Sequence, residues 1–369
     1  MATQSLVRAL QRHFTTVIVL MSLLAALIYY AYRPGLQSCS DPSDCSEICL
    51  EMLKKEDVEP VKEPTLPKAL KTEPDTTVLI WFWPFGQKFD LIPCSEMYNI
   101  QGCHLTDDRT LFSKADGVII HHRDIAPDLS NLPQLPRPTH QKWIWWNDES
   151  PSFTSKNPAL SSLFNLTTSY RQDSDIFMPY GKLINQPSAN FKIPKKDKVV
   201  CWIISHWDRN LKRHRYYEEL KEHINISMFG TSVGKPVDSE SFPKIMSSCK
   251  FYLSFENSIH VDYVTEKLFN PLLFGTVPVV LGPPRENYEE HVPGDSFIHV
   301  DDFPSLKELA DKLRLLDKNP ALYEQYFNWH KSYQIQVGSP LESACHTCLL
   351  LRMQRTYKVI KNLNKWFWG

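Results

Sequence analysis

The sequence predicts an α/β protein built from two open, largely parallel sheets that face each other across a cleft. Three observations carry this. Short apolar runs bounded by turns recur along the chain, as buried strands require. From residue 196 onward they alternate with charged, helix-forming segments, the pattern of strand–helix–strand units. Apolar runs flank a Pro- and Lys-rich stretch at 187–198, so the 369 residues divide into about two domains. Two such domains hold a ligand between them, at the carboxyl ends of their strands.

Composition narrows the chemistry. The net charge of -1, from 41 Lys and Arg against 42 Asp and Glu, leaves no basic footprint for nucleic acid. There are 12 glycines, and no two are separated by a single residue. G-x-G-x-x-G is therefore absent, and so is the phosphate-loop motif, which argues against dinucleotide oxidoreductases and P-loop NTPases. H-E-x-x-H does not occur, which removes the zincin reading. Aromatic residues reach 12%, with 10 Trp. That suits a carbohydrate or nucleoside pocket, or simply a bulky core.

The elements follow in order. Residues 14–32, FTTVIVLMSLLAALIYYAY, carry no formal charge and are long enough to span a bilayer. Arg8 and Arg12 precede them and Arg33 follows, which places 1–13 in the cytosol and the rest in the lumen. The run is too long for a cleaved signal and no A-x-A site closes it, so an uncleaved signal anchor is expected. Residues 33–76 read as a stem, with prolines at 34, 42, 60, 64, 67 and 74 and no apolar period. A luminal chain makes Asn165-Leu-Thr and Asn225-Ile-Ser plausible glycan sites. Nine cysteines fit an oxidising compartment. Cys39, Cys45 and Cys49 fall in the stem; the pairing of the other six is left open by the sequence alone. Cys345-His-Thr-Cys348 has no second C-x-x-C to complete a zinc site, and the compartment favours disulfides.

Strands are expected at 78–83 (VLIWFW), 117–121 (GVIIH) and 142–146 (KWIWW) in the first half. In the second half they are expected at 199–204, 226–229, 251–255 and 277–281. Helices are expected at 211–223, ahead of 251, at 265–274 and at 306–316. SFENS at 254–258 ends a strand, and TEKL at 265–268 opens a helix. A strand end followed by a helix start favours an anion, and Lys267 adds charge there. With Arg213 and Arg215 nearby and no glycine-rich loop, a diphosphate would rest on an Arg fork, a Lys and the helix end. The plain alternative is a solvated charged helix. WWNDESP at 145–151 closes a strand of the first half, where Glu149 is placed to take a proton from an acceptor hydroxyl. Asp148 competes for that role, and either acid could instead cap the turn at Ser150-Pro151. Asp173-Ser-Asp175 matches the metal-nucleotide pattern D-x-D, but it precedes the donor-like half and is common by chance, so no metal is expected. His121 and His122 lack metal spacing, because neighbouring side chains on a strand face opposite ways.

The run at 251–268, FYLSFENSIHVDYVTEKL, resembles the donor signature of the α1,3-fucosyltransferases that make Lewis-type glycans, glycosyltransferase family ten. The resemblance continues through WPFGQ (83–87), NIQGCHLT (99–106), HHRDI (121–125), KWIWWNDESP (142–151), RQDSDI (171–176), PVVLGPPRENYE (278–289) and the terminal KWFWG. It covers 77–369 and, within the family, looks most like the vertebrate type 9 members. The stem departs from them in its three cysteines.

The resemblance implies a GT-B fold: an acceptor domain at 77–195, a GDP-fucose domain at 196–341, and a tail at 342–369 that returns to the acceptor domain. It implies inverting transfer of fucose from GDP-β-L-fucose to the 3-hydroxyl of N-acetylglucosamine in type 2 N-acetyllactosamine. Glu149 matches the family's general base. Arg213 and Lys267 match diphosphate ligands that stand in for a metal, and Glu266 a fucose contact. Trp202, Ser205, His206, Tyr252, Asn257, His260 and Tyr263 are expected to line the donor, with Tyr180 and Val237 carried over beside them. Gln87 and Arg123 fall on the acceptor side, and an Arg at 123 where other members have Trp implies restriction to type 2 chains. The implied disulfides are Cys94–Cys345, Cys103–Cys348 and Cys201–Cys249. The implied setting is the Golgi membrane, single-pass with a luminal catalytic domain. The expected acceptors are glycoproteins and glycolipids ending in N-acetyllactosamine; no cofactor and no nucleic acid are expected, and homodimerisation is left open. The competing readings are mixed α1,3/α1,4 specificity and an inactive, membrane-tethered glycan-binding homologue.

Overall fold

The computed structural model describes residues 74–188, 190–354 and 356–369. The segments read as cytosolic tail and membrane anchor, and nearly all of the stem with its three cysteines, lie outside these. Among the described residues no helix is long and apolar enough to cross a membrane.

The first sheet contains β1 (Thr76–Ile80), β2 (Cys103–Thr106), β3 (Gly117–His121), β4 (Lys142–Asn147), β5 (Leu166–Ser169) and β6 (Ile176–Phe177). Their order is β2-β1-β3-β4-β5-β6 and every pairing is parallel. After β7 (Gly181–Ile184) the second sheet follows, with β8 (Lys198–Ile203), β9 (Ile226–Phe229), β10 (Cys249–Phe255), β11 (Val277–Leu281) and β12 (Ile298–His299) in the order β12-β11-β10-β8-β9. It too is parallel throughout. β7 pairs antiparallel with β13 (Gln334–Val337). The helices are α1 (Cys94–Tyr98), α2 (Lys212–Leu220), α3 (Ser241–Ser248), α4 (Glu266–Leu273), α5 (Arg285–Glu289), α6 (Leu306–Lys318), α7 (Pro320–Glu324), α8 (Pro340–Met353) and α9 (Leu363–Trp368).

Parallel sheets are covered on both faces, which is why β3 and β4 are buried along their whole length. One face of the first sheet sets Val78, Ile119, Ile144 and Trp146 against Ala344 and Cys348 of α8. The other sets Leu79, Val118, Ile120 and Trp145 against Leu363 and Phe367 of α9. Two disulfides, Cys94–Cys345 and Cys103–Cys348, fasten α8 to this half. In the second sheet, Val200, Trp202, Phe251, Leu253 and Phe255 pack on Leu309 and Leu313 of α6. Cys201–Cys249 joins β8 to β10.

Several expected boundaries shift. The first strand stops at Ile80, and the indoles of Trp81 and Trp83 beyond it donate to Asn131 O at 2.9 Å and Asp107 Oδ2 at 3.2 Å. The helix expected at 211–223 ends at Leu220, and α6 runs on to Lys318. The sequence did not announce β2, β5, β6, β12, the β7–β13 ribbon or the two tail helices.

Candidate active site

A first cavity forms where the carboxyl ends of β8 and β10 meet the start of α4. It encloses about 550 Å³, with Trp202, Ser205, His206, Arg213, Tyr252, Asn257, Glu266 and Lys267 on its wall. β8 delivers Trp202, and the loop after it Ser205 and His206. Gly230 lets the loop after β9 close over this edge: a Cβ there would lie 2.1 Å from Ile204 O, and its φ is +106°.

Three cations line the cavity: Arg123, shared with the first half, and Arg213 and Lys267 of the second. Arg213, on the first turn of α2, is 7% exposed. One guanidinium nitrogen donates to His206 O at 2.8 Å, while its Nε has no partner. A buried guanidinium without a carboxylate in contact is an expensive arrangement unless an anion completes it. Burial lowers its pKa somewhat, but arginine stays charged. Lys267 lies in the first turn of α4, whose N-cap Thr265 accepts from Lys267 N. Its Nζ contacts Glu266 Oε1 at 2.9 Å, Thr265 Oγ1 at 3.0 Å and Glu256 Oε2 at 3.3 Å. Burial opposes its charge, yet Glu256 and Glu266 outweigh that and raise its pKa. Both phosphate-binding devices therefore converge here: fixed positive side chains and a helix start.

Glu149, just past β4, faces this cavity and also a second one of about 570 Å³. The second cavity belongs to the first half and is lined by His122, Arg123, Ile125, Asn147 and the loop at 153–157. The Glu149 carboxylate lies 3.5 Å from Arg123 Nη1 and accepts from Tyr263 Oη at 3.4 Å. Asp148 takes the opposite direction: Trp146 Nε1 reaches both its oxygens at 2.9 Å, and burial raises its pKa. It lines a third, more apolar cavity of about 220 Å³ with Phe85, Trp146, Tyr180, Glu266 and Val337. Of the two neighbouring acids, only Glu149 borders both the 550 Å³ and the 570 Å³ cavity.

The loop from Asn257 to Val264 carries the cross-cleft contacts. His260 Nε2 meets Ser152 Oγ at 2.7 Å, Ser258 Oγ donates to Ser150 Oγ at 2.6 Å, and Gln172 N donates to Asp262 at 3.1 Å. Asp262 adopts a left-handed backbone with φ +64°. His260 and Tyr263, expected to line the donor, contact Ser152 and Glu149 of the first half and lie outside the lining of the 550 Å³ cavity. Tyr180 is likewise outside that lining, its hydroxyl donating to Asp148 O. Val237 is half-buried on the loop before α3 and Gln87 is exposed; neither lines these cavities. Arg215 faces out from α2, so the expected fork reduces to Arg213.

The D-x-D acids have other work. Asp173 holds Arg171 at 2.8 Å and the Trp366 indole at 2.8 Å, while Asp175 caps Thr167 N at 2.9 Å and pairs with Lys358. His121 and His122 diverge as expected, to Asp124 at 2.5 Å and Ser155 O at 2.9 Å. The sequons also part. Asn225 is exposed, whereas Asn165 is fully buried and donates its amide to Lys358 O at 2.6 Å. The expectation of a glycan there meets a closed packing: it has room only where the chain at Lys358 lifts away.

Comparison with known proteins follows the same lines as the fold. Residues 73–181 match the family description "Fucosyltransferase, N-terminal", and residues 193–366 match "Glycosyltransferase family 10 (fucosyltransferase) C-term". A 4-galactosyl-N-acetylglucosaminide 3-alpha-L-fucosyltransferase 9 of Rattus norvegicus is 53% identical over 297 residues, covering 80% of this chain and 83% of the relative. The chain belongs to glycosyltransferase family 10.

Within that fucosyltransferase family the chain is also similar to the Homo sapiens type 9 protein, at 52% identity over the same 80% of this chain and 83% of the relative. A 3-galactosyl-N-acetylglucosaminide 4-alpha-L-fucosyltransferase of Pan troglodytes is 43% identical, covering 80% of this chain and 81% of its own. A solved α1,3-fucosyltransferase crystallised with GDP-fucose shares the fold, with a TM-score of 0.50 at 15% identity over 79% of this chain and 93% of its own. The two parallel sheets thus match a fucosyltransferase structure. In this fucosyltransferase two features escaped sequence reasoning. Glu256, 3% exposed, accepts from Thr265 N and Oγ1 at 2.9 Å and so ties the end of β10 to the cap of α4. An acid ending an otherwise apolar strand, nine residues before a Thr-Glu-Lys helix start, was the available signal. The Tyr263–Glu149 contact is non-local and left no such sign.

Proposed function

We propose that the chain transfers fucose from GDP-β-L-fucose to the 3-hydroxyl of N-acetylglucosamine in type 2 N-acetyllactosamine, with inversion, forming Lewis x-type structures. Glu149 is the general base. It takes the proton of the acceptor 3-hydroxyl as that oxygen bonds to the fucose anomeric carbon; the bond to GDP breaks on the opposite face and its electron pair leaves with the diphosphate. Arg213 and Lys267 stabilise the charge that develops on the leaving group. Glu266, on the cavity wall beside Lys267, is the fucose-side contact. The observation that supports this reading most strongly is that Glu149 borders both the cation-lined cavity and the first-half groove.

For the acceptor, the type 9 relatives are named for a 4-galactosyl-N-acetylglucosaminide and the Pan troglodytes relative for a 3-galactosyl one. Arg123 supports the former. Its guanidinium lies 3.5 Å from Glu149 and 5.4 Å from the Phe85 ring, offering donors to sugar hydroxyls where an indole would offer a stacking face. We further propose residues 1–13 as cytosolic tail, 14–32 as anchor, 33–76 as stem, 77–195 as acceptor domain and 196–341 as donor domain, in the Golgi membrane with glycoprotein and glycolipid acceptors.

The test is the detergent-solubilised full chain with GDP-fucose and either Galβ1-4GlcNAc or Galβ1-3GlcNAc, the linkage assigned by NMR. Transfer to O3 of the first disaccharide alone is expected. Equal transfer to both establishes mixed specificity. GDP-fucose binding without turnover on any acceptor identifies an inactive glycan-binding homologue.

A further inference from the structure

The six residues of α9, Leu363–Trp368, reach the loop that carries Glu149. Trp366, Phe367 and Trp368 pack around Trp145 with ring centroids 6.0, 4.9 and 6.3 Å away. The two flanking indoles then diverge. Trp366 Nε1 donates to Asp173 at 2.8 Å, outside the 149–157 loop. Trp368 Nε1 donates to the backbone oxygen of Thr154 at 3.0 Å, and its ring rests 5.6 Å from His122.

Thr154 leads back to Glu149. Its hydroxyl lies 2.7 Å from Ser150 O and 3.4 Å from Glu149 O. Asn147, the last residue of β4, donates its amide to the same Glu149 oxygen at 2.8 Å and to Thr154 Oγ1 at 3.2 Å. The next residue is held as well. Trp145 Nε1 donates to His122 Nδ1 at 3.0 Å, which leaves the proton on His122 Nε2 to donate to Ser155 O at 2.9 Å. Burial lowers the His122 pKa to about 4, so this neutral tautomer persists at working pH. Asn364 of α9 donates to Asn157 O at 3.1 Å. Loop 149–157 is thus pinned at three carbonyls, 154, 155 and 157, two of them by the tail.

We infer that Trp368 is a positioning residue for Glu149. By fixing the Thr154 carbonyl it holds the Thr154 hydroxyl against the Ser150 and Glu149 peptides, and so sets where the carboxylate projects. The inference rests on the reading of Glu149 as general base. An error of about 1 Å in a catalytic group is enough to cost orders of magnitude in rate, so one displaced hydrogen bond behind it matters.

The test uses Trp368→Phe in the full chain, which keeps an aromatic ring and removes the donor. Trp366→Phe is the control, since its bond leads away from the loop. Trp368→Phe should lower kcat about 10-fold while the KM for GDP-fucose and the Tm stay at wild-type values, and Trp366→Phe should leave kcat unchanged. In a Glu149→Gln background the Trp368→Phe loss should shrink to within about twofold, because there is no base left to misplace. An unchanged kcat overturns the inference. So does an equal loss from both indoles, a loss that persists undiminished behind Glu149→Gln, or an effect confined to the acceptor KM. A Glu149→Gln enzyme with normal turnover would instead remove the base itself, a separate result.

Discussion

The hydroxyl of Tyr263, carried by the loop at 257–264, donates to the carboxylate of Glu149, carried by the opposite half, at 3.4 Å. The residue proposed to take the acceptor proton is therefore in contact with the loop that reaches across from the second half. Glu149→Gln should lower turnover at least about 100-fold, the lower range for general base catalysis. GDP affinity should remain near wild type, because the carboxylate makes no contact with Arg213 or Lys267. Single-turnover kinetics with parallel GDP calorimetry checks both halves of the statement.

The cations act on the other substrate. Arg213→Ala and Lys267→Ala should each weaken GDP binding and slow transfer, since each removes a charge-assisted contact to a diphosphate. Lys267→Ala also strands Glu256, a buried carboxylate, without its cation. It should lower the Tm more than Arg213→Ala does, and differential scanning fluorimetry of the two variants would reverse the assignment if the order were opposite.

Arg123→Trp should raise the ratio of transfer on Galβ1-3GlcNAc to transfer on Galβ1-4GlcNAc. The substitution exchanges donors for an apolar face beside Phe85 and removes a positive charge near Glu149. Absolute rates are expected to fall on both acceptors. A ratio that does not move would take this side chain out of acceptor choice.

His330 predicts an acid limit to stability. Its ring is stacked between Phe191 and Trp329, with centroids 3.5 and 3.7 Å away, and neither nitrogen has a partner. Burial lowers its pKa from 6.5 to about 4. The unfolded chain then binds the proton first. The stabilisation is complete above pH 6.5 and is lost as pH falls toward 4, at most about 3 kcal/mol after allowance for solvent screening. His330→Phe should flatten the fall in Tm over that interval; an unaltered slope would place the acid sensitivity elsewhere.

Non-reducing peptide mapping should find Cys94–Cys345, Cys103–Cys348 and Cys201–Cys249, with no free thiol among the six. Replacing Cys201 and Cys249 with alanine should cost about 2–4 kcal/mol by urea titration. A scrambled partner for Cys345 or Cys348 would contradict the packing of α8.

How much the sequence disclosed depended on whether a residue's partners lay nearby. GVIIH at 117–121 coincides with β3 because an apolar run between turns can be little else. LTTS forms β5, equally buried, but its hydroxyls disguise it; Thr168 is satisfied by Ser343 of α8, 175 residues away. C-x-x-C hid a helix for the same reason, since α8 earns its burial from β1–β3 and not from a regular apolar stripe. At the site, Glu149 stood out as an acid just past a strand, and Arg213 and Lys267 as cations near helix starts. The choice of Glu149 over Asp148 needed the Trp146 indole, whose direction no spacing reveals. Arg215, on the same helix as Arg213, was excluded only by the turn that faces it outward.

The two disulfides on α8 span 251 and 245 residues, and α9 covers the opposite face of the same sheet. A chain delivered amino-terminus first therefore carries its earliest sheet bare, through synthesis of the whole second half, until the last thirty or so residues arrive to cover it. Ribosome-bound intermediates should expose apolar strands on that sheet while the later sheet has already closed. Oxidation of Cys94 and Cys103 must wait for partners at the far end of the message, so premature pairing between those two is the natural misfold for a folding catalyst to undo.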